Sequence, residues 1–190
     1  MEMINTLDGQ MLLWIQDHLR NPFLDKLMTF YTRLGDYGLV FIAIVLILLI
    51  IPSTRRIGYM AALGLIITVV LFIALKHIFM RPRPYLTVEG LIPLVLMERD
   101  PNSFPSGHTA MAFAVAVSVI RHLDSKFMGG VIILMAVFMG FSRLYVGVHN
   151  PTDVLVGILV GILSAGLSLR LAPILEKKIE QMKASRKGAE

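Results

Sequence analysis

The segment IGYMAALGLIITVVLFIALKHIF, residues 57–79, decides the fold of this chain because it is long, apolar and almost free of charge. A helix rises about 1.5 Å per residue, so about 20 apolar residues cross the roughly 30 Å hydrocarbon layer of a bilayer. The segment reaches that length, and its one strongly charged residue, Lys76, lies close to its end. It therefore predicts a transmembrane helix with an ionisable side chain near one membrane face.

Four other segments share this apolar character, and together they predict an all-α integral membrane helical bundle with about five transmembrane helices. The chain has 190 residues, of which 56% are hydrophobic, and this length suits a single domain over residues 1–190. Cysteine is absent from the sequence, which excludes disulfides and cysteine-ligated metal. The other predicted spans are 22–51, 107–122, 128–147 and 152–174.

The two ends of the chain differ in character from the spans. Within residues 3–20, apolar residues recur at helical spacing with polar residues between them, which predicts an amphipathic helix. We predict that it lies in the membrane interface, where it could be counted as a sixth element, and packing on the protein's own body is the alternative. Residues 176–190 form a basic tail that suits a cytoplasmic end near anionic lipid headgroups rather than a nucleic-acid site.

The distribution of Lys and Arg predicts the membrane face of each loop, since cytoplasmic loops are enriched in both. Arg55 and Arg56 follow the first span, Arg121 and Lys126 join the third to the fourth, and the basic tail follows the fifth. These segments share one side, which predicts a multi-pass protein of the cell membrane with that side in the cytoplasm. Four arginines remain on the opposite side, where anion binding is one reason to retain them: Arg81, Arg83, Arg99 and Arg143.

Polar residues from distant segments should meet at this extracytoplasmic face, where ionisable groups are functional candidates by default. Two predicted helix starts, PSGH at 105–108 and HNPTD at 149–153, point backbone N–H groups towards it and favour an anion such as phosphate. In the second start, Asn150 is the predicted N-cap before Pro151. Three cations with geometry suited to phosphate oxygens join these helix starts: Lys76, Arg83 and Arg143.

Two histidines at the same face could supply the chemistry of phosphoryl transfer. A two-step transfer needs a nucleophile and a group that protonates the departing oxygen. Asp153 follows His149 by one helical turn, so its carboxylate could fix the tautomer of that imidazole. This leaves His108 as the acid.

The same residues form three motifs that resemble those of the type 2 phosphatidic acid phosphatases. This family is the membrane branch of a superfamily that also includes soluble vanadium haloperoxidases. The motifs are KHIFMRPRP at 76–84, PSGH at 105–108 and SRLYVGVHNPTD at 142–153, and no fixed position departs from the family pattern. Each motif is weakly specific alone, whereas the three in this order are a specific signal.

The resemblance implies a metal-independent lipid phosphatase that uses no cofactor. His149 would attack phosphorus and form a phosphohistidine, Asp153 would orient His149, and His108 would protonate the leaving group. The implied substrates are water and a lipid phosphate, with undecaprenyl diphosphate, phosphatidylglycerol phosphate and phosphatidic acid as candidates. The implied phosphate-binding residues are Lys76, Arg83, Ser106, Gly107 and Arg143.

Other functions remain open at this point. A lipid phosphotransferase would use the same intermediate, and a lipid transporter or flippase would keep the cations but needs neither the two histidines nor the aspartate. Arg81 could be a fourth phosphate ligand or an anchor at the lipid headgroups, and we favour the anchor. The apolar stretch LIPLVLM, residues 91–97, is too short to span, and we hypothesise that it dips into the outer leaflet beside the site.

Overall fold

The computed structural model of the chain describes residues 2–95 and 100–187, and the regular structure within those ranges is helical, with no strand. Short 3-10 turns connect some of the helices, among them Asp36–Gly38. The seven α-helices of these ranges are α1 (Glu2–Leu19), α2 (Pro22–Leu34), α3 (Leu39–Ile50), α4 (Arg55–Phe79), α5 (Gly107–Ile120), α6 (Lys126–Tyr145) and α7 (Pro151–Lys187).

Three segments in the described ranges are long and apolar enough to cross a membrane on their own. They are Pro52–Phe79, Lys126–Tyr145 and Pro151–Leu175. Helices α2 and α3 pass the same test only as a pair that is bent by 45°, and α5 has only 14 residues. Each predicted span therefore coincides with helix, whereas the predicted number of five transmembrane helices stays a prediction.

Helix α5 lies at the centre of the bundle, in contact with α4, α6 and α7. Small residues let α7 approach it closely, as in other membrane helix pairs. A Cβ added to Gly157 would lie 2.7 Å from the carbonyl oxygen of Ser106, and one added to Gly161 would overlap that of Ala110. The helices α5 and α7 are therefore closely packed at these two glycines, whereas Gly166 has open space beside it.

The start of α7 follows the predicted pattern. Pro151 is its first residue, and the Asp153 carboxylate accepts a hydrogen bond of 2.7 Å from the backbone N–H of Asn150. In α5, the Ser106 side chain accepts from the backbone N–H of Thr109. The backbone N–H of Ser106 also donates to the carbonyl oxygen of Asp153 at 3.0 Å. The two helix starts that carry the predicted site are therefore joined directly.

The predicted first span is broken between α2 and α3, which the sequence analysis did not foresee. Gly38 and Tyr37 both have positive φ, 71° and 54°, and this region favours glycine over residues with side chains. The break leaves Asp36 in a short turn rather than within a helix. The Asp36 carboxylate is consequently partly exposed, at the point where the chain changes direction between α2 and α3.

Helix α1 packs on the body of the protein along one face. Leu12 and Ile15 are buried there, and Asp8 is only 3% exposed. Leu7, Met11 and Trp14 stay exposed. Packing on the body, the alternative placement, therefore describes one face of α1, and the membrane-interface prediction now concerns the exposed apolar residues alone.

Residues 91–95, part of the run hypothesised to dip into the outer leaflet, pack partly on the body of the protein, while Ile92 is 65% exposed, so the hypothesis stays a prediction. Leu91 is buried, and the backbone N–H of Leu94 donates to the carbonyl oxygen of Val146 at 3.0 Å. The Gln16 side chain accepts a hydrogen bond from the N–H of Ile92 at 2.8 Å, which connects this segment to α1. Leu96 and Met97, the rest of that apolar run, lie outside the described residues, as does Arg99.

Candidate active site

The predicted catalytic residues meet at one end of the bundle, around His149. The Nη1 atom of Arg83 lies 3.1 Å from His149 Nε2, and Arg143 Nη1 lies 3.5 Å from His108 Nε2. His149 and Asp153 are buried, and their closest atoms, Nδ1 and Oδ2, are 3.6 Å apart. Residues up to 77 positions apart are thus brought together, from Lys76 to Asp153.

The contacts of His149 fix which of its ring nitrogens carries the proton. An arginine can only donate, so Nε2 of His149 is the acceptor in the contact with Arg83 and is unprotonated. Nδ1 then carries the proton and faces Asp153 Oδ2, at a distance somewhat longer than a hydrogen bond. Burial lowers the pKa of His149 well below its ordinary value, and the positive charges of Arg83 and Arg143 lower it further. The imidazole is therefore neutral, with its basic nitrogen towards the cations.

Asp153 is held by three donors in addition to its proximity to His149. Its Oδ2 accepts from the backbone N–H of Asn150 at 2.7 Å and from the Asn150 side-chain amide at 3.2 Å. Its Oδ1 accepts from Arg81 Nη1 at 2.7 Å. A fully buried carboxylate needs such partners, because burial of an unpaired charge is strongly unfavourable. The orientation of Asp153 is consequently fixed before any substrate binds.

Two of the predicted phosphate ligands are bonded to a loop carboxylate and nearby carbonyl groups. Lys76 Nζ lies 2.6 Å from Asp100 Oδ2 and 2.9 Å from the carbonyl oxygen of Asn102. Arg83 donates through Nε to the carbonyl oxygen of Asp100 at 3.1 Å and through Nη1 to that of Val148 at 3.0 Å. Asp100 was not predicted from the sequence as a partner of Lys76.

His108 lies in the first turn of α5 and faces the break between α2 and α3. Its Nε2 is 3.1 Å from Asp36 Oδ1, and the Asp36 side chain is 43% exposed. Gly35 lies beside the ring, since a Cβ added there would come within 2.5 Å of His108 Cδ2. Asp36 is a second site residue that the sequence analysis missed. The only signal was an acidic residue just before a long apolar run.

Ser106 and Gly107 lie at the start of α5, where it meets α7. The Ser106 hydroxyl is 2.9 Å from that of Thr109 in the same helix, and the backbone N–H of Ser106 donates to the carbonyl oxygen of Asp153. A Cβ added to Gly107 would make only ordinary contact with Phe72, at 3.5 Å. The backbone N–H of Ser106 thus connects α5 to α7, and the phosphate-binding role of both residues stays a prediction.

Arg81 does not have the exposed position that the favoured role of headgroup anchor requires. Its guanidinium is bonded to side chains of α1 and α7, and its side chain is only 19% exposed. The prediction of a headgroup anchor is therefore wrong. Its partners are Asn5, Asp8, Thr152 and Asp153.

Fold and site together define a class: an integral membrane helical protein with a largely buried polar centre of two histidines, a carboxylate and several cations. Across residues 2–95 and 100–187 there is no group of three or more His, Cys, Asp or Glu placed to hold a metal ion. The chain belongs to the PAP2 superfamily, whose family model matches residues 53–176. The resemblance inferred from the three motifs is thereby confirmed.

Known proteins of this superfamily resemble the chain over most of its length. The undecaprenyl-diphosphatase of Sulfolobus acidocaldarius is 37% identical over 165 residues, which cover 84% of this chain and 76% of the relative. The crystal structure of Aquifex aeolicus LpxE superposes with a TM-score of 0.75 at 33% identity, covering 85% of this chain and 93% of that one.

A second solved structure is the transmembrane PAP2-type phosphatidylglycerolphosphate phosphatase of Bacillus subtilis. It superposes with a TM-score of 0.74 at 28% identity and covers 91% of this chain and 88% of its own. These likenesses confirm the predicted all-α membrane bundle, and the chain is an enzyme of the phosphatase class.

Proposed function

We propose that this protein hydrolyses a phosphate ester or diphosphate of a membrane lipid through a phosphohistidine on His149. The observation that carries the proposal is the state of that ring. Its Nε2 accepts from Arg83 and so has the lone pair that attack on phosphorus requires. The proton on Nδ1 faces Asp153, whose carboxylate would stabilise the positive charge that develops on the imidazole.

The steps follow from the positions of the charged groups. His149 Nε2 forms a bond to phosphorus as the bond to the leaving oxygen breaks, and His108 gives that oxygen a proton. Water then attacks the phosphohistidine, His108 takes a proton from the water, and inorganic phosphate departs. Lys76, Arg83 and Arg143 stabilise the negative charge on the phosphoryl oxygens in both steps.

A lipid substrate is supported by an apolar cavity beside the break between α2 and α3, the break that His108 faces. The cavity has a volume of about 210 Å³ and lies among α2, α3, α5 and α6, with walls that include Leu34, Phe41, Val115 and Met139. Met139 is also beside Gly35, the residue that His108 contacts. Hydrocarbon could therefore occupy the cavity while the phosphate reaches the histidine, which suits a molecule that is half polar and half apolar.

Undecaprenyl diphosphate is the first candidate substrate, because the S. acidocaldarius relative is named for that activity. Phosphatidylglycerol phosphate is the second, after the B. subtilis structure. We place the site on the extracytoplasmic face of the cell membrane, because Arg55, Arg56 and the basic tail mark the opposite face as cytoplasmic.

The test uses purified protein in detergent, a panel of lipid mono- and diphosphates, and phosphate release as the readout. We expect release from at least one lipid phosphate, and an acid-labile phosphorylated protein after rapid quenching. Both should disappear in His149→Ala. His77→Ala is the matched control, because His77 is exposed and its ring bonds to the carbonyl oxygen of Ile73.

Three outcomes would contradict the proposal. Turnover in His149→Ala would refute the nucleophile. Transfer of phosphate to an added alcohol, with none released to water, would identify a phosphotransferase. Binding of lipid phosphates without turnover would indicate a binding or transport protein.

A further inference from the structure

Helix α1 reaches the candidate site through the buried carboxylate of Asp8. Asp8 Oδ2 accepts from Arg81 Nη2 at 2.7 Å and from the Thr152 hydroxyl. Asp8 Oδ1 accepts from the backbone N–H of Thr152 at 3.3 Å, one of the N–H groups that the start of α7 leaves without a helical partner. A carboxylate buried to this extent is strongly unfavourable unless it is paired, so the contact with Arg81 is needed by Asp8 itself.

Arg81 links that carboxylate to Asp153. Its Nη1 donates to Asp153 Oδ1 at 2.7 Å and to the Thr152 hydroxyl at 2.6 Å. Its Nη2 donates to Asp8, as above, and to Asn5 Oδ1 at 2.8 Å. Both terminal nitrogens of the guanidinium are thus used by α1 and α7, in contrast to Arg83, two residues away, which contacts His149.

The charges in this chain of contacts alternate, with a negative Asp8, a positive Arg81 and a negative Asp153. Arg81 alone would offset most of the charge that Asp153 presents to His149. Because the positive charge of Arg81 is shared between Asp8 and Asp153, Asp153 is only partly neutralised and still presents negative charge to the His149 imidazole. The hydrogen bond from Arg81 Nη1 to Asp153 Oδ1 also restrains the rotation of the Asp153 carboxylate, whose other oxygen faces His149 Nδ1.

We propose that Asp8 and Arg81 are positioning residues, which set the orientation of the Asp153 carboxylate and the negative charge that it presents to His149. The proposal rests on the proposed role of His149 as nucleophile. The charged groups that act on His149 are Asp153, Arg83, Arg143, Lys76 and His108. Asp8 and Arg81 act through the first of these.

The proposal predicts effects of opposite sign for the two residues. A negative neighbour favours a protonated imidazole and a positive neighbour disfavours it. Asp8→Asn removes a negative charge and should lower the pKa of His149, whereas Arg81→Gln removes a positive charge and should raise it. A merely structural role would move both variants in the same direction or leave the titration unchanged.

The experiment is an NMR titration of protein labelled with ¹⁵N-histidine in detergent, with the His149 signal assigned by its loss in His149→Gln. Against the wild-type midpoint, we expect a displacement of about half a pH unit or more, downward in Asp8→Asn and upward in Arg81→Gln. Asp8→Glu should restore the wild-type midpoint. Asp17→Asn is the matched control, because it removes an exposed carboxylate from the same helix.

If the His149 midpoint in Arg81→Gln is no higher than in the wild type, the proposal is overturned. If Asp8→Asn does not fold, the result for Arg81→Gln alone decides. In turnover, Asp8→Asn should lower kcat about 10-fold with KM nearly unchanged. The titration needs no substrate, so its result is separate from that of the proposed function. If the two variants shift the His149 midpoint in opposite directions but the protein hydrolyses no lipid phosphate, the positioning role of Asp8 and Arg81 is retained and the proposed function is rejected. If hydrolysis is normal but the midpoint does not shift, the proposed function is retained and the positioning role is rejected.

Discussion

The two histidines of the site have contrasting surroundings. His149 is only 2% exposed, lies in the tight link before α7 and has cations on its Nε2 side. His108 Nε2 lies 3.1 Å from Asp36, a carboxylate that is 43% exposed, and 3.5 Å from Arg143. Cations and burial favour a neutral ring, whereas a carboxylate stabilises a protonated one. In the proposed mechanism this difference would let one residue type supply both the nucleophile and the acid, because the Asp36 carboxylate is adjacent to His108 and the Arg83 cation contacts Nε2 of His149.

Removal of the acid should have the largest effect among the tests of this contrast. We expect His108→Ala to lower kcat for a lipid monophosphate by about 10²–10⁴-fold, because its alkoxide leaves poorly without a proton. The loss should be much smaller for p-nitrophenyl phosphate, whose leaving group needs little protonation. Steady-state kinetics on both substrates measures this, and equal losses would show that His108 is not the proton donor.

Displacement of the acid without its removal should have the next largest effect. A Cβ at Gly35 would come within 2.5 Å of the His108 ring, so Gly35→Ala should shift the imidazole and lower kcat by up to about 100-fold. Gly130→Ala is the matched control, since nothing lies within 4 Å of its added Cβ. Wild-type kcat in Gly35→Ala would mean that the position of His108 is not set by the break.

Loss of the carboxylate beside His108 should have a smaller effect than loss of His108 itself. Asp36 Oδ1 lies 3.1 Å from His108 Nε2, so Asp36→Asn removes the charge of one partner in this contact and should lower kcat for a lipid monophosphate by about 10-fold. Asp36→Glu should restore much of kcat, and a wild-type kcat in Asp36→Asn would exclude Asp36 from a role at His108.

The surroundings of His149 predict the behaviour of the acid limb. Because burial and the charges of Arg83 and Arg143 lower its pKa, His149 should stay neutral and nucleophilic well below pH 6.5, the ordinary histidine value. The acid limb of kcat/KM should therefore lie below that value. A limb at or above that value, or one that does not move to higher pH in Arg83→Gln, would show that the cations do not act on His149 as described.

The smallest effect concerns the packing that brings the two histidines together. Gly157→Ala would place a Cβ 2.7 Å from the Ser106 carbonyl oxygen and should destabilise the protein by about 1–3 kcal/mol. Gly166→Ala, with open space, should be neutral or slightly stabilising. Thermal unfolding in detergent compares them, and equal Tm values would show that α5 and α7 tolerate separation.

Much of the site was predictable because its signals are local. Apolar length predicts the spans, and the cap residues of HNPTD predict where α7 begins, since both depend on neighbouring residues alone. The three motifs place His108, His149 and the cations at helix ends on one face. Their convergence around His149 agrees with that prediction, although their chemical roles stay predictions.

Other features depended on contacts between residues that are far apart in the sequence. Asp36 is 72 positions from His108, and Asp8 is 73 positions from Arg81, so no local pattern links either pair. The prediction that Arg81 is a headgroup anchor was wrong for the same reason, because its partners in α1 and α7 lie far from it in the sequence and come together only when α1 packs on α7. Hydrophobicity and capping act between neighbours and are readable from the sequence, whereas the partner of a charged side chain is decided by which helices pack together.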